Sequence, residues 1–265
     1  MRQRAAKAKL KPFIIEVFSG CQAFARSIRN RGLQCLAFDL NQGPSGDVLK
    51  PSVFHRLVTL MKSGNCRGIL FAPPCTTFSS ARHPAVRSRR RPRGLHGLVG
   101  RDAAQVLEAN AIIDRMIVLL RIATTLRIPW LVENPRASIL WHDRGVRSVI
   151  QQAGANLQHI HMCAFGCRWR KPTTLCCFRL PTVQDKRCVA HNHICQYSGM
   201  AHIPLRGRDA NGVVWAKRAQ AYIKPLADHL AVAFHNAAIE LEFESLCAEK
   251  GRIWGSPKRP LADSG

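Results

Sequence analysis

Short apolar runs alternate with amphipathic stretches along most of the chain, and each run stops at a polar or turn residue. Phe13-Ile-Ile-Glu-Val17 reads as a buried strand running into a turn at Phe18-Ser-Gly20. A helix over 23–31 follows, stopped by Gly32. Gln34-Cys-Leu-Ala-Phe38 reads as a second strand, ending at Asp39, and a Gly/Pro-rich loop spans 41–47. A helix is predicted over 54–62, stopped near Gly64, then a short strand over 68–71 that ends in Ala72-Pro-Pro-Cys75. Residues 79–101 read as a long loop. The next helix, 103–128, carries Ile112, Met116, Leu119, Leu120 and Ala123 on one face. Trp130-Leu-Val132 is another strand, ending at Glu133-Asn-Pro135, and a helix is expected over 146–153. From Ala155 to about Gly199 the pattern is β-like and rich in cysteine. Residues 216–248 read as one long helix, or two joined near Pro225, and 250–265 as a frayed end; no internal repeat is visible.

Strands alternating with helices predict an α/β fold with a doubly wound, largely parallel sheet. In such sheets ligands bind outside the carboxyl ends of the strands. Those ends here carry Ser19-Gly20, Asp39, Pro73-Pro74-Cys75 and Glu133-Asn134. The expected organisation is a basic arm (1–11), a cofactor-binding and catalytic α/β domain (12–155), a small Cys/His-rich subdomain (156–215), a C-terminal helical element packing back on the catalytic domain (216–248) and a tail (249–265).

Composition adds a partner. Forty Lys+Arg oppose 16 Asp+Glu, for a formal charge of +24 on 265 residues, so the chain attracts polyanions, of which nucleic acid is the commonest. A secreted cationic protein or a solubilising surface has the same charge. No apolar segment follows the basic start before Pro12, and Asp114, Arg115, Arg121 and Arg127 interrupt the most apolar helix, so neither a secretory signal nor a membrane span is expected. Eleven cysteines, an odd and scattered set beside a large core, fit free thiols better than a disulfide framework. These features predict a soluble intracellular protein, nuclear if eukaryotic, monomeric, and not bound to membranes.

Three segments carry candidate chemistry. The strand–turn–helix–strand unit from Glu16 to Asp39 has the form of a nucleotide-binding half, in which the acid holds ribose hydroxyls. The single glycine of its turn, Gly20, does not indicate phosphate cradling, and an ordinary βα turn with a surface acid accounts for the unit equally. Pro73 and Pro74 stiffen the chain before Cys75, and a thiol held at a strand end among arginines is expected to have a depressed pKa. Against this stands the usual fate of cysteine, burial as a packing residue. Glu133 ends a buried strand, where a carboxylate needs a partner; a base edge, a helix cap or a core ion pair would each serve.

Two further clusters stand apart. The loop after Cys75 contains Arg82, Arg87, Arg89, Arg90, Arg91 and Arg93, suited to clamping phosphates; a solvated run or a nuclear-import signal are the alternatives. Cys188-x2-His191-x-His193-x-Cys195 offers the ligand types of a structural zinc site, with Cys163, Cys167, Cys176 and Cys177 nearby. The spacing is tighter than finger patterns, and reduced packed thiols with polar histidines are the other reading.

Together these motifs resemble the cytosine-C5 DNA methyltransferase family, in a divergent and compact form. Glu16-Val-Phe-Ser-Gly20 resembles the opening Asp-Leu-Phe-Ala-Gly element, and Gly46-Asp47 the element whose acid contacts the cofactor adenine. Pro73-Pro74-Cys75 matches the catalytic Pro-Cys, Glu133-Asn134 the Glu-Asn of Glu-Asn-Val, and Arg168-Trp-Arg170 resembles the Arg-x-Arg element. The order along the chain is the family's, and the resemblance spans roughly residues 13–175 plus a weaker C-terminal helical element. Gln22 and Ala23 stand where a second glycine is usual, Glu16 replaces Asp, and Asn134-Pro135 replaces Asn-Val. About 45 residues separate Arg-Lys-Pro-Thr from the C-terminal element, where restriction-type relatives carry a large target-recognition region.

The resemblance implies methyl transfer from S-adenosylmethionine to C5 of cytosine in DNA. Cys75 would add to C6, Glu133 would hydrogen-bond N3 and the exocyclic amine, and Arg168 or Arg170 would support the O2 side. Glu16, Phe18, Ser19, Gly20, Asp39, Asp47 and Pro73 would hold the cofactor. Two rivals stand: a catalytically impaired nucleic-acid-binding protein on the same scaffold, and a cytosine-C5 methyltransferase acting on RNA.

Overall fold

A computed structural model describes residues 11–181, 186–189 and 193–253. The basic arm up to residue 10, residues 254–265 and His191 lie outside the described residues.

Six strands form one sheet: β1 (Phe13–Val17), β2 (Gln34–Phe38), β3 (Cys66–Phe71), β4 (Trp130–Pro135), β5 (Asn156–His161) and β6 (Pro172–Phe178). Their order is β2-β1-β3-β4-β6-β5. The first four run parallel, and β6 runs antiparallel to both β4 and β5. Helices α1 (Ala23–Arg29), α2 (Pro51–Lys62), α3 (Gly100–Thr125) and α4 (Arg144–Ala153) form the successive crossovers, and α5 (Trp215–Arg218) and α6 (Lys224–Ile253) follow the sheet. This is a doubly wound, largely parallel α/β fold, with a reversed strand near one edge.

Both faces of the sheet are buried, which is why β1 is apolar at every position except Glu16. Strand alternation sends Phe13, Ile15 and Val17 into a core shared with α2, α3 and α4. Ile14 points the other way, into a core shared with α1 and α6, where Phe24, Leu226, Leu230 and Phe234 pack. Leu131 belongs to this second face, and so by alternation do Glu16 and Glu133. A Cβ added at Gly68 would fall 2.5 Å from the Phe234 ring. Glycine in mid-β3 is therefore what lets α6 lie this close to the sheet.

Several boundaries differ from those read in the sequence. Of the two readings of 216–248, the structure has two helices joined near Pro225, with a short first one and a second that runs on to Ile253: α5 ends at Arg218, residues 219–223 form a link, and α6 starts at Lys224. Pro225 is its second residue, where the missing N–H breaks no intrahelical bond. The β-like region yields β5 and β6; beyond Phe178 the described residues hold only isolated bridges, Ile194–Ala201 and Arg208–Val214. Among the described residues no helix is long and apolar enough to cross a membrane.

Candidate active site

The chain leaves β1 for β2 on one side, then crosses back to β3 on the other. This reversal is a topological switch point, where the loops after adjacent strands diverge and leave a crevice. A cavity of about 560 Å³ occupies it, within the range of small-molecule sites. Glu16, Phe18, Ser19, Gly20, Asp39 and Asp47 line one half, and Pro73, Cys75 and Glu133 the other. The structure thus brings together residues from the ends of four strands.

The turn after β1 is held by unusual backbone and by carboxylates. Phe18 (φ 64°), Gly20 (φ 48°) and Gln22 (φ 56°) all take left-handed conformations. Gln22 precedes α1 without capping it through its side chain. A helix start needs acceptors for its free N–H groups, and Glu16 provides one from within the sheet, accepting from Ala25 N at 3.0 Å. Glu16 is 2% exposed. Burial raises its pKa to about 8, although the Ala25 bond, Arg29 and Arg26 oppose the shift. Asp39 accepts from Gly20 N and from Asn41 N, both at 2.8 Å, tying the β1 turn to the end of β2. The Gly46 backbone lies against Asp39 so closely that an added Cβ would sit 2.1 Å from its carbonyl oxygen. That contact sets where Asp47 enters the cavity.

The other half centres on Cys75 and Glu133. Asn134, fully buried at the end of β4, donates from Nδ2 to Pro73 O at 3.0 Å and pins the Pro-Pro-Cys turn to its neighbour strand. Glu133 Oε2 accepts from Tyr222 Oη at 3.3 Å, whereas its buried Oε1 has no partner. An unpaired buried carboxylate oxygen is costly, and burial pushes the Glu133 pKa up against the opposing effects of Lys171 and Tyr222. The carboxyl is thereby biased towards its protonated, hydrogen-bond-donating form. Tyr222 is held well above the ordinary phenol range by burial and by Glu133.

Cys75 departs from expectation. Burial raises its pKa; Lys171 works against the rise, and Glu133 adds to it. The arginines of the following loop do not supply the expected depression. Arg168 and Arg170 do not line the cavity. Arg170 turns away, donating to His161 Nδ1 (3.1 Å) and Cys188 O (3.0 Å), and Arg168 is exposed. The residue that faces the cavity is Lys171, whose Nζ donates to Ala219 O at 2.8 Å. Lys171 and Tyr222 are the site residues that sequence reasoning missed. The Arg-Lys-Pro-Thr motif contained the first; a tyrosine just before a helix carries no comparable signal.

The arginine-rich loop divides. Arg87 is 3% exposed, bonded to Thr77, Pro92 O, Asn110 and Val106 O, and stacked 3.9 Å over the Phe78 ring. Arg93 pairs with Asp114 and Asp143, and Arg82 with Asp102. These three guanidiniums hold the loop to α3 and to the start of α4 and are not free for phosphates. Arg89, Arg90 and Arg91 are exposed and face solvent.

The cavity's charge runs against that of the chain. Five of the 16 acidic residues line it, namely Glu16, Asp39, Asp47, Glu108 and Glu133, against Lys171 and Lys217 and no arginine. With Glu16 and Glu133 biased towards their neutral forms by burial, Asp39, Asp47 and Glu108 still outnumber the two lysines, a lining that suits a cation with hydroxyl groups and disfavours a phosphate. S-adenosylmethionine, with its sulfonium, ribose diol and no phosphate, fits it.

No protein-family model matches the chain, and no curated protein matches its sequence. Among solved structures it is similar to the crystal structure of the S. pombe Dnmt2 methyltransferase, at 13% identity and a TM-score of 0.37. The match covers 65% of this chain and 52% of that one, so the chain spans about half the length of that protein.

Proposed function

We propose that the chain transfers a methyl group from S-adenosylmethionine to C5 of cytosine in DNA, through a covalent adduct between Cys75 and C6. The observation that carries this reading is the joining of Cys75 and Glu133 at one cavity by the Asn134–Pro73 bond, with one buried Glu133 oxygen left unpartnered. A thiol nucleophile beside a neutral carboxyl donor is what C6 addition to a pyrimidine requires.

The Cys75 sulfur attacks C6 as its proton leaves, and C5 gains enamine character. Glu133, protonated, donates to N3 and so stabilises the charge that the addition places on the ring. The Lys171 ammonium opposes the raised pKa of Cys75 and takes the role that the sequence suggested for Arg168 or Arg170. Asp39, Asp47 and Glu16, which line the same cavity, would hold S-adenosylmethionine, which would supply the electrophilic methyl group to C5 and leave as S-adenosylhomocysteine. Loss of the C5 proton to a base then expels the Cys75 thiolate. C6 is hidden within a stacked duplex, so the cytosine must be extruded or already single-stranded. Arg89, Arg90 and Arg91 are free to grip the flanking phosphates.

The test is transfer of label from methyl-tritiated S-adenosylmethionine to cytosine-containing DNA and RNA oligonucleotides, followed by nucleoside analysis. Label is expected in 5-methyldeoxycytidine and is expected to vanish in Cys75→Ser. A folded protein that binds DNA but labels no substrate overturns the proposal in favour of a non-catalytic binder, and label confined to RNA overturns the choice of DNA.

A further inference from the structure

Outside the cavity, the described residues between β6 and α5 hold two isolated bridges and no helix or strand. Within this segment and beside it Cys163, Cys188, Cys195 and His202 converge, and their four ligand atoms all lie within 4.8 Å of one another. Cys188 Sγ is 3.8 Å from Cys195 Sγ and 3.7 Å from His202 Nε2. A disulfide needs sulfurs about 2.05 Å apart. Tetrahedral zinc with Zn–S near 2.3 Å and Zn–N near 2.0 Å places its sulfurs about 3.8 Å apart and its sulfur and nitrogen about 3.5 Å apart. We propose that this chain binds one structural zinc ion through Cys163, Cys188, Cys195 and His202.

Three further observations favour a metal over packed thiols. The three cysteines are each 1% exposed and form a cluster with no aliphatic member, cut off from both main cores. Three thiols alone bury too little apolar surface to order the segment, whereas a metal supplies folding energy directly. The turn between two of the ligands is fixed by the backbone: Gly199 N donates to Cys195 O at 2.8 Å. Cys195 N also donates to Met200 O and His202 N to His193 O, closing the turn that brings His202 back. Finally, three sulfurs and an imidazole exclude calcium and magnesium, which want oxygen, and select zinc.

This corrects the ligand set suggested by the sequence. His193 is exposed and outside the cluster, with its backbone at φ 64°. Cys188 and Cys195 stay in the set, His202 and Cys163 join it among the described residues, and His191 lies outside the described residues.

The ion would also brace the active site from behind. Cys188 N donates to His161 Nδ1, and Cys188 O accepts from Arg170, the residue before Lys171. Ile203 N, next to His202, donates to Arg168 O. The metal loop is therefore stitched on both sides to the segment that carries Lys171 into the cavity. The proposal stands independently of the methyl-transfer reading.

The test is elemental analysis of the full chain purified under reducing conditions, with Co²⁺ exchanged for the native metal. One zinc per chain is expected, and Co²⁺ should give the intense visible bands of a tetrahedral site with thiolate charge transfer in the near ultraviolet. His202→Ala and Cys195→Ser should lose the metal, while His193→Ala and Cys167→Ser retain it. The wild-type spectrum stands even if a ligand variant fails to fold. Folded, reduced wild type that carries no metal and takes up no Co²⁺ overturns the proposal. Loss of metal in His193→Ala with full retention in His202→Ala overturns the assigned ligands.

Discussion

Replacing Arg87 by methionine separates a structural arginine from a phosphate clamp. The guanidinium makes five hydrogen bonds, two of them to Thr77 and one each to Pro92 O, Asn110 Oδ1 and Val106 O. It also lies 3.9 Å over the Phe78 ring. Net contributions of about 1 kcal/mol per bond and about 2 kcal/mol for a desolvated cation–π contact give roughly 7 kcal/mol. Against this stands the cost of keeping a cation there, where burial first and then repulsion from Arg93 and Arg82, partly offset by Asp143, lower its pKa to about 10. At 1.36 kcal/mol per unit that cost is about 3 kcal/mol, and methionine recovers it while filling similar space. Arg87→Met should therefore destabilise the protein by about 4 kcal/mol. In urea the midpoint should fall by roughly 1.5 M at unchanged slope. The salt dependence of DNA binding, measured below the unfolding transition, should not change. A midpoint shift equivalent to less than about 0.5 kcal/mol, or a salt slope reduced by about one, would refute the reasoning.

The exposed arginines should behave oppositely. Arg89→Ala, Arg90→Ala and Arg91→Ala together should leave the urea midpoint unchanged and reduce the slope of log K against log salt by about 2–3, read by fluorescence anisotropy on labelled DNA. Glu133→Gln should lower the rate of methyl transfer about 10²-fold with little change in DNA affinity, and Tyr222→Phe by less, in single-turnover assays. Because burial raises the Cys75 pKa, its alkylation by iodoacetamide should still be accelerating above pH of about 8.5, where an ordinary thiol begins to level off. Glu16, raised from 4.5 to about 8, keeps a proton in the folded state that the unfolded chain releases. Stability should thus be fully present below pH 4.5 for this group and be lost as pH rises towards 8, by up to about 1.4 kcal/mol per unit. Glu16→Gln should flatten that slope in urea titrations at pH 6 and 8.

The parallel half of the fold was legible because strands buried on both faces are mostly apolar, as Trp130–Val132 is throughout and Phe13–Val17 is apart from Glu16. Their carboxyl ends then placed Cys75, Glu133 and Asp39 on one rim without knowledge of any contact. The order of β5 and β6 was not legible, since an antiparallel strand inserted between two others leaves no local mark. Charge counting identified the arginine loop but not which guanidiniums turn inward, because that depends on Asn110, Asp114 and Asp143 on other elements. Local spacing likewise favoured His193 over His202. The turn at Cys195–Gly199 reverses the chain and brings the more distant histidine to the sulfurs. The Cys75 pKa was misjudged for a related reason: nearby charge in sequence was counted, and burial outweighed it.

The central claim is that Cys75 attacks cytosine. Oligonucleotides containing 5-fluorocytosine, as DNA and as RNA, test it most directly, because fluorine at C5 blocks the final elimination and traps the adduct. The account predicts a covalent complex with DNA that requires S-adenosylmethionine, survives denaturing gel electrophoresis, maps to Cys75 by mass spectrometry and is absent in Cys75→Ser. A folded protein that binds these oligonucleotides but forms no adduct, or forms one that persists in Cys75→Ser, would contradict it.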